Sequence, residues 1–90
     1  RAYPYLYQFR AAQARQLFAL AKRFPELTPA AAASLGYAYR VDPGSLEIAS
    51  ALYIARRALG DCDGANAVAA DLRAIAGRSD RVVMLIGGGC

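Results

Sequence analysis

Ninety residues bound this chain to one small domain or part of one, with roughly 60–65% of its unfolded surface buried on folding. A hydrophobic content of 57% excludes a disordered chain, and the apolar runs fall short of the ~20 residues that cross a bilayer. Eleven Lys and Arg against seven Asp and Glu give a net charge of +4, which permits an acidic protein, a nucleic acid or an anionic surface as partner, and the absence of histidine removes the common zinc ligand sets.

Much of the apolar content is alanine, which favours helix but contributes little buried area per residue. The expectation is a helical protein with a thin core that packs against something else. Ten of the eleven cations are arginine and no block of consecutive like charge occurs, so Arg15, Lys22, Arg23, Arg56, Arg57 and Arg73, spread along the helices, read first as solvated helix faces. No segment has a signal-peptide layout, and with Arg at position 1 the sequence reads as a processed or partial chain.

The first helix is expected from about Tyr5 to Phe24. Leu6, Phe9, Gln13, Leu17, Leu20 and Phe24 recur at steps of three and four and form the expected inner stripe. Gln8, Arg15 and Lys22 fall on the opposite side, and Pro25 stops the helix. The second helix opens at Thr28-Pro29, with Thr28 as the expected cap, and ends at Asp42-Pro43. Ala31, Leu35 and Ala38 make its narrow apolar stripe. The third runs from Ser45 to Leu59 with Ile48, Leu52, Ala55 and Leu59 inward, and Gly60 closes it. Asp61 or Asp63 caps a fourth helix that runs to Ala76, with Ala65, Val68, Leu72 and Ile75 inward and Gly77 as its stop. Residues 81–90, "RVVMLIGGGC", read as an extended apolar tail because valine and isoleucine favour strands. The fold class expected is therefore all-α: four helices as two stacked helix-turn-helix hairpins over residues 1–80, followed by an extended tail over 81–90.

An internal repeat supports the hairpin reading. At a shift of 35 residues Ala14 falls on Ala49, Leu17 on Leu52, Phe18 on Tyr53, Lys22 on Arg57 and Phe24 on Leu59. In the following helices Ala30 falls on Ala65 and Ala32 on Ala67. Hairpins of this kind cannot bury their apolar faces alone, and stacking makes the continuous core. The second unit resembles a tetratricopeptide repeat through Leu52, the Gly60-Asp61 turn, and Ala65, Ala69 and Leu72 in its second helix. Pro43, 34 residues before Gly77, stands where that motif's closing proline would end the preceding unit. The resemblance covers roughly residues 10–77 and implies stacked helical hairpins. Tyr53 in place of a small residue, Arg56 in place of tyrosine, Gly77 in place of proline and Phe24-Pro25 in place of the first turn glycine depart from the motif.

Motifs for chemistry are sparse. Asp61 and Asp63 resemble the start of a calcium loop, but Leu72 stands where that loop needs glutamate, so both read as helix caps. The glycines of "IGGGC" lack the Gly-Lys-Ser/Thr or the third spaced glycine of nucleotide-binding loops and read as a hinge or terminus. Glu26 and Glu47 form no defensible acid–base pair, and Cys90 has no histidine base, so no catalytic residue and no cofactor is expected. Cys62 and Cys90 are expected as free thiols; a Cys62–Cys90 disulfide tying the tail to a turn is the alternative in an oxidising compartment.

Tyr3, Tyr5, Tyr7 and Phe9, interleaved with Arg1 and Arg10, suit a helical core, a protein interface or base stacking. "LTPAAAASLGYAYR" followed by "GSLEIASAL" faintly resembles the helix-turn-helix of LuxR-type regulators, with Arg56 and Arg57 as candidate base readers. The leading expectation is a non-catalytic interaction module, a small accessory or scaffold subunit of a larger assembly. Its expected partner-binding residues are Tyr3, Tyr5, Tyr7, Arg10, Arg56, Arg57, Val82, Val83 and Leu85. A helix-turn-helix-type nucleic-acid-binding domain is the alternative. Residues 82–86 are expected to dock on the helices or add to a partner's sheet.

Overall fold

The computed structural model describes the backbone of residues 4–87 and the side chains of residues 8–87. Among these residues the chain is all-helical: α1 (Pro4–Arg23), a short 3-10 turn (Pro25–Leu27), α2 (Thr28–Val41), α3 (Leu46–Ala58), α4 (Cys62–Ala76) and α5 (Asp80–Gly87). Each of the first four helices packs on the next in sequence, α1 also meets α3, and α5 leans on α4.

Local chemistry sets the ends. Phe24 and Asp42, each before a proline, leave the helical region with φ of −127° and −138°. Ser45 caps α3 by accepting the Ile48 amide at 3.3 Å, and Asp61 caps α4 by accepting the Gly64 amide at 2.9 Å. Gly60 stops α3 in the left-handed region at φ 78°, a conformation that costs a residue with a side chain. Thr28, the expected cap of α2, lies inside the helix instead. The 3-10 turn runs directly into α2, and the Thr28 amide is satisfied by the Pro25 carbonyl.

The core is one cluster centred on α3, where Ile48, Ala49, Leu52, Tyr53 and Ala55 are buried and Tyr53 is the largest fully buried side chain. The expected inner faces hold for Ala31, Leu35 and Ala38, for Ile48, Leu52 and Ala55, and for Ala65, Val68 and Leu72. Leu59 and Ile75, at the ends of their stripes, are exposed.

Two expectations are corrected here. On α1 the inward side chains are Ala11 and Ala14, with Phe18 packed against the core, while Phe9, Leu20 and Phe24 face solvent. Small side chains let two helix backbones approach closely, so α1 turns its alanines to its neighbours and the bulky residues rotate outward. The tail is not extended: α5 buries Val82 and Ile86, half-buries Leu85, and leaves Val83 and Met84 exposed. Burial at 82, 85 and 86 follows the helical repeat, and backbone groups in this stretch pair along the helix instead of along a strand edge. The Val83 amide, for example, donates to the Ser79 carbonyl at 2.9 Å. Addition of residues 82–86 to a partner's sheet is thereby excluded for this conformation.

A third correction concerns the thiols. Cys62 is disulfide-bonded. Cys90, the other cysteine of the chain, lies outside the described residues. Among the described residues no helix is long and apolar enough to cross a membrane.

Candidate functional site

A groove of about 770 Å³ is bounded by α1, α3 and α5. Helix α1 contributes Arg15, Phe18 and Lys22, α3 contributes Leu46, Glu47, Ile48, Ala51 and Ile54, and α5 with its leading Ser79 contributes Arg81, Val82 and Leu85. Its floor is core, since Ile48 and Val82 are almost fully buried, and its open walls are apolar, since Leu46 and Ile54 are each 39% exposed.

Charge in the groove is uneven. The Arg15 Nε lies 3.0 Å from Glu47 Oε2, an exposed pair joining α1 to α3. Lys22 sits over the Phe18 ring, 4.8 Å from its centroid, a cation–π contact that leaves the ammonium facing water. Among the described residues neither Lys22 nor Arg81 meets a carboxylate.

The arginines expected to bind partners each contact another part of the fold, although Arg10 and Arg57 remain exposed. Arg56 is half-buried and its Nη1 donates to the Gly64 carbonyl at 3.1 Å, closing the α3–α4 turn. Arg57 lies over the Tyr53 ring at 5.5 Å and donates to the Leu85 carbonyl at 3.4 Å, a tie between α3 and α5. Arg10 lies over the Tyr37 ring at 5.6 Å. Val82 is in the core rather than free for a partner, Val83 is exposed but outside the groove, and Leu85 lines it. Tyr3 lies outside the described residues, and so do the side chains of Tyr5 and Tyr7.

A second polar cluster joins α2 to α4. The Tyr39 hydroxyl donates to the Asp71 carboxylate. Burial is the larger reason that the Tyr39 pKa is pushed up to about 12; the bond to Asp71 and its negative charge raise it further, while Arg56 opposes them. No group of three or more His, Cys, Asp or Glu that could hold a metal occurs among the described residues.

Sequence reasoning missed the groove because it lost one wall. Arg15 and Lys22 were assigned to a solvated face, which is correct for exposure, but α5 as a strand gave that face nothing to enclose. The signal was present in Val82, Leu85 and Ile86, whose spacing fits a helix.

No protein-family model matches the chain, and no curated protein or solved structure does either.

Proposed function

We propose that this chain is a non-catalytic protein-interaction module, an accessory or scaffold subunit of a larger assembly, built as stacked tetratricopeptide-like hairpins and receiving its partner in the α1–α3–α5 groove. The observation that supports this reading is a recurrence of burial at 34 residues, one residue shorter than the 35-residue shift that aligns like residue types. Ala14, Ile48 and Val82 stand at that interval on α1, α3 and α5, all nearly fully buried; Phe18, Leu52 and Ile86 stand at the same interval, with Phe18 partly buried. Ala31, Leu35 and Ala38 of α2 correspond in the same way to Ala65, Ala69 and Leu72 of α4, all buried. The interval is the tetratricopeptide period. On this reading α5 is the first helix of a third unit, and the three first helices would line one concave face, as repeat arrays do when they bind partners.

The alternative nucleic-acid reading has less support. Both candidate base readers, Arg56 and Arg57, are engaged within the fold, and the rings nearest the groove are taken: Phe18 by Lys22, and Tyr53 by burial and Arg57. Stacking of bases needs a free ring face.

The test is a native pull-down with mass spectrometry, comparing the chain with Ile54→Asp in the groove and Ala70→Asp on the exposed face of α4. Proteins retained by the unaltered chain and by Ala70→Asp but lost with Ile54→Asp support the reading. The same set retained by all three removes the groove as the partner site.

A further inference from the structure

We infer that the groove takes an extended acidic peptide segment of about four residues with an apolar side chain between its carboxylates. This rests on the groove being the partner site, and goes further by assigning the chemistry of the occupant.

Charge is the first argument. Three cations, Arg15, Lys22 and Arg81, line the groove against one carboxylate, Glu47, and that carboxylate is already paired with Arg15. Lys22 on α1 and Arg81 on α5 are left as two cationic groups on separate walls. A basic or neutral segment would leave both uncompensated, whereas a segment with carboxylates spaced along it meets one at each wall.

Shape is the second. Leu46 and Ile54 mark the apolar ends of the α3 wall, eight residues and so about 12 Å apart along the helix axis. Extended chain advances about 3.3 Å per residue, so some four residues span that wall. An extended segment of that length runs the whole wall from Leu46 to Ile54. Alternation of side chains along an extended chain then directs apolar residues to Leu46, Ile54 and Leu85 while the carboxylates between them reach the walls.

The experiment uses the full chain and a fluorescein-labelled pool of hexapeptides alternating glutamate with leucine, isoleucine, valine or phenylalanine, read by fluorescence anisotropy. Parallel pools replace glutamate by glutamine or by lysine, and a labelled uridine oligoribonucleotide is the nucleic-acid arm. The acidic pool is expected to bind about tenfold more tightly than the glutamine pool at 0.1 M salt, and the difference is expected to shrink at 1 M, where the screening length falls from about 10 Å to 3 Å. Lys22→Gln with Arg81→Gln brings the acidic and glutamine pools to about the same affinity, and Ile54→Asp abolishes binding of both. Circular dichroism of each variant checks that helicity is retained. Equal binding of the acidic, glutamine and lysine pools, still lost with Ile54→Asp, overturns the acidic assignment and leaves the groove as a site. Peptide binding that survives Ile54→Asp overturns both readings. No binding by any peptide pool, or binding of the oligoribonucleotide lost with Lys22→Gln and Arg81→Gln, also overturns the proposal.

Discussion

Alanine substitutions along α5 distinguish a docked helix from a strand-like tail, and the structure gives their sizes. A strand would place Val82, Met84 and Ile86 on one face and Val83 and Leu85 on the other. The helix buries Val82 and Ile86 at 2% and 5% exposure and leaves Met84 82% exposed. At about 0.8 kcal/mol per buried methylene, Val82→Ala should cost about 1.5 kcal/mol and Ile86→Ala about 2.5 kcal/mol, the latter within the usual range of about 2–5 kcal/mol for Ile→Ala in a core. Met84→Ala should change stability by no more than about 0.5 kcal/mol. For a domain of this size 1 kcal/mol moves Tm by roughly 4–8 °C, so the expected drops are about 6–12 °C, 10–20 °C and under 4 °C. Urea titrations and thermal melts followed by circular dichroism at 222 nm measure all three. A Met84→Ala cost equal to that of Val82→Ala would refute the helical register.

Three further perturbations probe the turns and ties. At Gly64 an added Cβ would clash with Oδ2 of Asp61, the carboxylate whose Oδ1 caps α4, so Gly64→Ala should displace the cap and lower stability by about 0.5–1 kcal/mol despite alanine's higher helix propensity. In an Asp61→Ala background the same change should stabilise, and a thermodynamic cycle in urea that shows no reversal of sign contradicts the cap argument. Tyr39, with its pKa about 12 against about 10 in an unfolded chain, holds its proton in the fold longer than after unfolding. Its contribution is complete below pH 10 and lost as pH rises from 10 towards 12, so the unaltered chain should lose stability over that window relative to Tyr39→Phe; parallel pH curves for the two proteins count against it. Cys62→Ser, or reductant added to the unaltered chain, should lower stability by about 2–4 kcal/mol in denaturant melts, with no further effect of reductant on the variant. A reductant effect that persists in Cys62→Ser contradicts this assignment.

What the sequence could and could not reveal follows from the signal each element carries. Helices α2, α3 and α4 were legible because prolines, caps and a left-handed glycine bound them, and because leucine, isoleucine and valine mark their inner faces. The face of α1 was not. Its periodic bulky residues, Phe9, Leu20 and Phe24, outweigh Ala11 and Ala14 on any hydrophobic scale, yet close helix approach selects the small pair. In α5, five successive apolar residues hide their period, and β-branching favours strand locally. Docking on the existing cluster decides for helix, a tertiary effect that short windows do not contain. Arg56 and Arg57 read as surface cations, because nothing in the spacing announces that the α3–α4 turn brings the Gly64 carbonyl under one, or that α5 brings the Leu85 carbonyl to the other.

The position of α5 ties stability to the proposed binding. Val82 and Ile86 fasten it to the core, while Arg81 and Leu85 on the same two turns build the third wall of the groove. An eight-residue helix has little intrinsic stability in water, so α5 persists through those buried side chains and through the Arg57 bond to the Leu85 carbonyl. Local opening therefore releases α5 before the larger cluster around Tyr53 yields. Each such opening removes Arg81 from the groove and with it one of the two cations left without a carboxylate. A peptide held by both α1 and α5 stabilises only the docked state, and so strengthens α5 in proportion to its own affinity. Under the proposed binding, Arg57 would influence recognition without touching the peptide, by positioning the wall that the peptide meets. Arg57, one of the arginines that sequence alone assigned to the partner, is then one step removed from it, and the residues proposed to meet the partner, Lys22 and Arg81, are the ones that sequence alone left to solvent or to a tail.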